Sequence, residues 1–180
     1  MDWTGLSDAE LLSRSAGGDR RAFDQIVVRH GQFALRVAAR LIVDASAAQD
    51  LVQEAMLRAW DRAGQFDARR ARFTTWLYRI VVNLCIDHGR RPRPEPMPEN
   101  FEPVDPAMSA NEAIEAQERR IALAQALEGL PTRQRAALML VYEEGMSGVE
   151  AAHIMGLSAK AVERLLARAR AHLRERLLPE

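Results

Sequence analysis

Aromatic and basic side chains gather in one stretch of this 180-residue chain: Phe66, Arg69, Arg70, Arg72, Phe73, Trp76, Tyr78 and Arg79. Aromatic faces stack unpaired bases whatever their sequence, and arginines hold the phosphates of the same strand. Asn83, one helical turn beyond Arg79, has the donor and acceptor needed to read a base edge. The competing expectation is a helix start whose rings are simply core. Three aromatics within six helical positions span more than one face, so some rings are expected inside and others on the surface. Catalytic chemistry is harder to find. His30, His88, His153 and His172 are scattered, with no H-x-x-x-H pair and no second metal-ligand type beside them. Asp87 and His88 adjoin, but neighbours on a helix point about 100° apart and are poorly placed to act together. Neither G-x-S-x-G nor G-x-x-x-x-G-K is present. Neither an enzyme nor a bound metal or cofactor is expected.

A second constellation lies at Ser147–Arg170, SGVEAAHIMGLSAKAVERLLARAR. Ser147 and Glu150 make a capping box, and Gly156 suits the left-handed end of a helix. Ser158 can cap the next helix, whose apolar side carries Val162, Leu165, Leu166 and Ala169. Ala152, Gly156 and Val162 fall where a helix-turn-helix needs a small contact residue, a turn glycine and a buried β-branched residue. The second helix bears Lys160, Arg164, Arg168, Arg170, Arg174 and Arg176 against Glu163 and Glu175, so it is basic where DNA phosphates would lie. An ordinary helical hairpin with a solvated charged face is the plainer alternative.

The elements that must position these groups are helical. Hydrophobic content of 48% with few aromatics is that of an ordinary globular protein. One cysteine, Cys85, excludes a disulfide framework or a cysteine-rich zinc site and reads as a small buried hydrophobe. The opening MDWTGLSDAELL lacks a basic n-region, so no signal peptide is expected, and no apolar run approaches a membrane span. Net charge is zero but unevenly spread: nine arginines against three aspartates over 58–93, then six acids and no base over 94–115. Two basic segments separated by an acidic one imply two polyanion-facing modules on a tether.

In order, Ser7 and Glu10 open a short helix, and Asp19 caps a longer one running to about Val43. Phe23, Ile26, Val27, Phe33, Ala34, Val37, Ala38 and Leu41 form its core stripe. Ser46 and Gln49 should box the next, which buries Leu51, Val52, Ala55, Met56 and Ala59 and exposes Asp50, Gln53, Glu54 and Arg58. Gly64–Arg72 reads as a loop. From Phe73 a further helix buries Leu77, Ile80, Val81, Leu84 and Cys85. Pro92–Met108 holds six of the eight prolines and reads as a linker. Ser109 and Glu112 open a helix that Gly129 and Pro131 stop, and Thr132 should cap the next. The fold class is all-α: two small helical domains, 1–91 and 109–180, joined by a Pro-rich acidic linker at 92–108.

DLVQEAMLRAW, FTTWLYRIVVN, the Pro-rich linker, LPTRQRAALMLVYEEGMS and GLSAKAVERLLARARAHLR, in that order and at that spacing, resemble the extracytoplasmic function (ECF) sigma factors of bacteria. The resemblance spans essentially the whole chain. It implies a cytoplasmic transcription initiation factor that binds core RNA polymerase and promoter DNA, with the first domain on the minus-ten element and the second on the minus-thirty-five. By matching positions, it implies polymerase docking through Asp50, Leu51, Gln53 and Glu54. Minus-ten binding and melting would fall to Arg69, Arg70, Arg72, Phe73, Trp76, Tyr78, Arg79 and Asn83. Minus-thirty-five binding would use Ser158, Lys160, Glu163, Arg164 and Arg168. It further implies an anti-sigma factor, with no small-molecule substrate and no membrane insertion. One departure stands out: Val162 is followed by Glu163-Arg164-Leu165 where relatives often carry Lys/Arg-Ser-Arg. Glu163 either accepts from cytosine N4 or pairs with an adjacent arginine. His153 likewise stands where a small or apolar residue is usual. A dimeric operator-binding regulator would explain only the second domain, and a helical adaptor would leave the basic final helix unexplained.

Overall fold

A computed structural model describes residues 3, 5–90 and 110–177. Helix α1, Asp8–Ala16, starts at the expected capping box: Ser7 Oγ accepts the Glu10 N–H at 3.3 Å and the Glu10 carboxylate accepts the Ser7 N–H at 2.7 Å. Asp19 caps α2, Arg20–Leu41, by accepting from the Arg21 and Ala22 amides. Helix α3, Ala45–Asp61, is capped by Asp44, which accepts from the Ala47 N–H. This corrects the expected Ser46 box: Ser46 already lies inside the helix. A short 3-10 turn at Ala63–Gln65 and an irregular loop lead to α4, Phe73–His88.

The second half contains α5, Ala110–Glu128, then α6, Thr132–Leu138, which widens into a π-helical turn at Met139–Glu143. Thr132 is the first residue of α6 rather than its cap, and Pro131 precedes it without a side-chain bond. Helix α7, Gly148–Met155, opens on the Ser147–Glu150 box and closes on Gly156 at φ 64°, as the hairpin reading required. Ser158 Oγ then accepts the Ala161 N–H at 3.2 Å at the head of α8, Ala159–Leu177. Pro92–Met108 and the Ser109 cap lie outside the described residues.

Leu11, Leu12, Ile26, Leu41, Leu77 and Val81 are fully buried in the first unit, and Leu140, Val162 and Ala169 in the second. Val27, expected in the core, is 40% exposed at the margin of its stripe. Helix α4 lies on α2 and α3 and also under α6 and α7. That double cover explains why it buries Phe73, Leu77, Tyr78, Val81, Val82, Leu84, Cys85 and Ile86, more than one stripe would hold. Arg135 ties the halves together. Its guanidinium donates to the carbonyls of Leu127, Glu128 and Leu130 and, across the junction, to that of Leu41 at 3.1 Å. Leu41, Leu127 and Glu128 stand at helix ends, where carbonyls run out of helical donors, and Leu130 lies in the turn between α5 and α6.

Candidate nucleic-acid interface

The loop before α4 is shaped by Asp67, whose carboxylate accepts the Arg69 N–H at 2.9 Å and reaches Arg70 at 3.5 Å. An aspartate bonded to the amide two residues on is a local turn device. It leaves Arg69, Arg70 and Arg72 exposed on one short arc. Behind them Phe66, Phe73 and Trp76 form a mutual cluster with ring centroids 5.6–5.8 Å apart. The three rings do not share one role. Phe73 is 3% exposed and is the buried base of the cluster, whereas Phe66 and Trp76 are half-buried and reach the surface. Phe66 and Trp76 are therefore the faces a base could stack on.

His30, which the sequence gave no reason to connect with this site, packs edge-on against Phe73 at 4.9 Å. Asp8 at the start of α1 holds its Nε2 at 2.9 Å. The link joins three separate helices, so no local spacing announces it.

Tyr78 is 2% exposed and lies against Phe33, which corrects its expected place on a strand-contacting surface. Its hydroxyl has no hydrogen-bond partner among the described residues. Burial, followed by the negative field of Glu144, pushes its pKa upward. Arg79 and Asn83 do face outward from α4, but onto α7. Arg79 Nη1 lies 3.5 Å from His153 Nε2, and the Asn83 amide donates to its own-helix Arg79 carbonyl at 2.8 Å and to the Ile154 carbonyl at 2.9 Å.

On α3, Asp50 and Gln53 are exposed, Leu51 is half-buried, and Glu54 pairs with Arg58 at 2.7 Å. Leu57 follows at the same helical spacing, 61% exposed, and puts an apolar contact on the acidic stripe that the sequence reading missed. On α8, Ser158, Lys160, Glu163, Arg164 and Arg168 all face solvent while Val162, Leu166 and Ala169 are buried. Glu163 makes no ion pair with its arginine neighbours among the described residues, which leaves its carboxylate able to accept from a base. Among the described residues no group of His, Cys, Asp and Glu is arranged to hold a metal ion, and no helix is long and apolar enough to cross a membrane.

Comparison with known proteins matches residues 26–94 to sigma-70 region 2 and residues 120–173 to sigma-70 region 4. The chain is 40% identical over 167 residues to the ECF RNA polymerase sigma factor SigM of Mycobacterium tuberculosis, covering 93% of this chain and 83% of that one. It is 33% identical over 177 residues to the RNA polymerase sigma factor CnrH of Cupriavidus metallidurans, covering 93% and 92%. The solved structure of CnrH in complex with the cytosolic domain of CnrY superposes with a TM-score of 0.57 at 33% identity, over 92% of this chain and 94% of that one. The fold is also that of the Bartonella quintana sigma factor RpoE, solved with the anti-sigma factor NepR, at a TM-score of 0.62 and 22% identity over 88% and 98% of the two chains.

Proposed function

The chain belongs to the extracytoplasmic function sigma factors of bacterial RNA polymerase, and from that premise we propose which of its residues carry out initiation. Its two DNA-facing parts divide the promoter: 1–91 takes the minus-ten element and 109–180 the minus-thirty-five, with 92–108 as the tether. The observation that carries this division is α8. One side of that helix is buried on α5, α6 and α7, and the other presents Lys160, Glu163, Arg164 and Arg168 to solvent.

Set in the major groove, α8 holds the backbone through Lys160 and Arg168 and reads base edges through Glu163 and Arg164. An arginine pairs bidentately with guanine and a glutamate accepts from cytosine, each good pair discriminating by about 1–3 kcal/mol. The Ser158 hydroxyl, already accepting the Ala161 N–H, keeps its proton to donate to a phosphate. In the first part, Arg69, Arg70 and Arg72 hold the single strand while Phe66 and Trp76 stack a base taken from the helix. Extracting one base costs a few kcal/mol, and stacking of about 1–3 kcal/mol per base offsets it. Asn83 and Arg79 complete strand reading. The Asp50–Leu51–Gln53–Glu54 face, extended by Leu57, docks on the polymerase. The chain itself works as a binding factor, not an enzyme, in the cytoplasm where the polymerase acts. CnrH is solved bound to the cytosolic domain of CnrY, which supports a protein as the regulatory partner here, of the anti-sigma class that the family resemblance implies.

Asp50→Ala combined with Glu54→Ala tests the docking face. It should weaken core-polymerase binding at least tenfold, about 1.4 kcal/mol, with the thermal transition unchanged. Unaltered affinity would remove α3 from the docking role.

A further inference from the structure

The rings that a melted strand would meet stand on a support that reaches them from two other helices. His30 of α2 lies between Asp8 and Phe73. Its Nε2 is 2.9 Å from Asp8 Oδ2, and its ring meets Phe73 at 4.9 Å between centroids, with the planes 65° apart. An ionised carboxylate can only accept, so the bond to Asp8 puts a proton on Nε2 and sets the angle of the ring. Asp8 is itself held. Its Oδ1 accepts from Arg29 Nη1 at 3.1 Å, and the same guanidinium donates to the carbonyls of Leu6 and Trp3 at 2.8 and 3.0 Å. Consecutive residues of α2 thus take the two oxygens of one carboxylate at the start of α1. The imidazole is 13% exposed, so most of its surface is walled in.

Phe73 has no polar atom to fix it. A phenyl ring keeps the angle that its neighbours impose, and its ring contacts run to His30, Phe66 and Trp76. We propose that His30, clamped by Asp8, is a positioning residue for promoter opening: it fixes Phe73, so that Phe66 and Trp76 are already ordered when an unpaired base reaches them. The proposal rests on the assignment of Phe66 and Trp76 as stacking faces and goes beyond it by naming the group that sets their angle. Rings ordered by folding need no ordering by the strand, whereas rings left loose by their support bind it more weakly. The position asks for a histidine. Phenylalanine would keep the ring and forfeit the bond, glutamine would keep a donor and forfeit the flat face, and imidazole has both.

The test uses holoenzyme, this chain with core polymerase, and a single strand copied from the minus-ten region of a promoter that the holoenzyme transcribes. The strand carries 2-aminopurine, whose emission falls as it stacks on a ring. His30→Ala should bind the strand about tenfold more weakly and lose most of the quenching, with affinity for core polymerase at the wild-type value. His30→Phe keeps the packing and drops only the bond, so it provides a folded chain in any case, and it should weaken the strand about threefold. Asp8→Ala, which unclamps the imidazole, should do the same. Arg29→Met removes the other partner of Asp8 and leaves His30 in place, so strand binding should be unchanged. If Arg29→Met weakens the strand as much as His30→Ala does, the effect is a general loss of stability and the proposal falls. In a Trp76→Leu chain, adding His30→Ala should cost little more, because His30 acts through the rings; a fully additive loss overturns the proposal. So does full affinity and quenching in His30→Ala. If Trp76→Leu still removes the quenching in that last case, positioning by His30 falls and the stacking assignment survives. If it does not, both fall.

Discussion

Phe73 and Trp76 stand three residues apart and ask for different experiments. Phe73 is inside, so Phe73→Ala should cost about 3–5 kcal/mol of stability by removing the base of the ring cluster, read as a lowered thermal midpoint. Trp76 reaches the surface. Trp76→Ala should leave closed-complex binding near wild type and reduce permanganate reactivity of the opened minus-ten region; undiminished reactivity would make it a packing residue only. Tyr78 offers the reverse effect. Tyr78→Phe deletes a buried hydroxyl with no partner and should raise the thermal midpoint, by about 1 kcal/mol of stability. A lowered midpoint would show that the hydroxyl is satisfied. The sequence placed these rings in one cluster but could not sort them, because sorting depends on α2, α6 and α7 arriving from elsewhere in the chain. His30 was illegible for the same reason: its partners Asp8 and Phe73 lie on two other helices.

Most element boundaries could be read locally. Ser7 with Glu10, Asp19, Ser147 with Glu150, and Gly156 each mark a helix end through bonds within four residues, and each was read correctly. The errors are instructive. Ser46 with Gln49 has the pattern of a capping box, but Asp44 two residues earlier is the better acceptor and captures the helix start. Thr132 lost the cap role to Pro131, whose fixed φ begins the turn without any side-chain bond. Helix α4 was read as having one apolar stripe because nothing in its own sequence says that α6 and α7 cover its second side. The box on α7 also predicts an acid response. Hydrogen bonds from the Ser147 N–H, and then from its hydroxyl, hold the Glu150 carboxyl below its ordinary 4.5. A carboxyl lowered in the folded state stabilises fully above its unfolded value and loses that contribution as pH falls through the folded one. The gap in thermal midpoint between wild type and Glu150→Ala should therefore be full at pH 6 and shrink as the pH falls below 4.5. A gap that persists at pH 2 would mean that the side chain acts through something other than its charge.

At the scale of the molecule, two helical halves, each carrying one basic stretch, are folded against one another. The composition showed the halves, in the arginine-rich 58–93 stretch and the basic last helix, but not their embrace. The cross-links that make it, Asn83 to Ile154, Arg135 to Leu41 and Arg40 to Glu143 and Glu144, join positions far apart in sequence and follow no periodicity. The central claim is promoter-directed initiation. Run-off transcription with purified bacterial core polymerase, on a library of upstream regions with and without this chain, tests that claim most directly. New transcripts that require the chain, start downstream of a shared pair of elements and are lost with Glu163→Ala, Arg164→Ala or Trp76→Ala are the predicted result. A chain that binds duplex DNA tightly by itself, yet neither engages core polymerase nor yields a transcript, would contradict it.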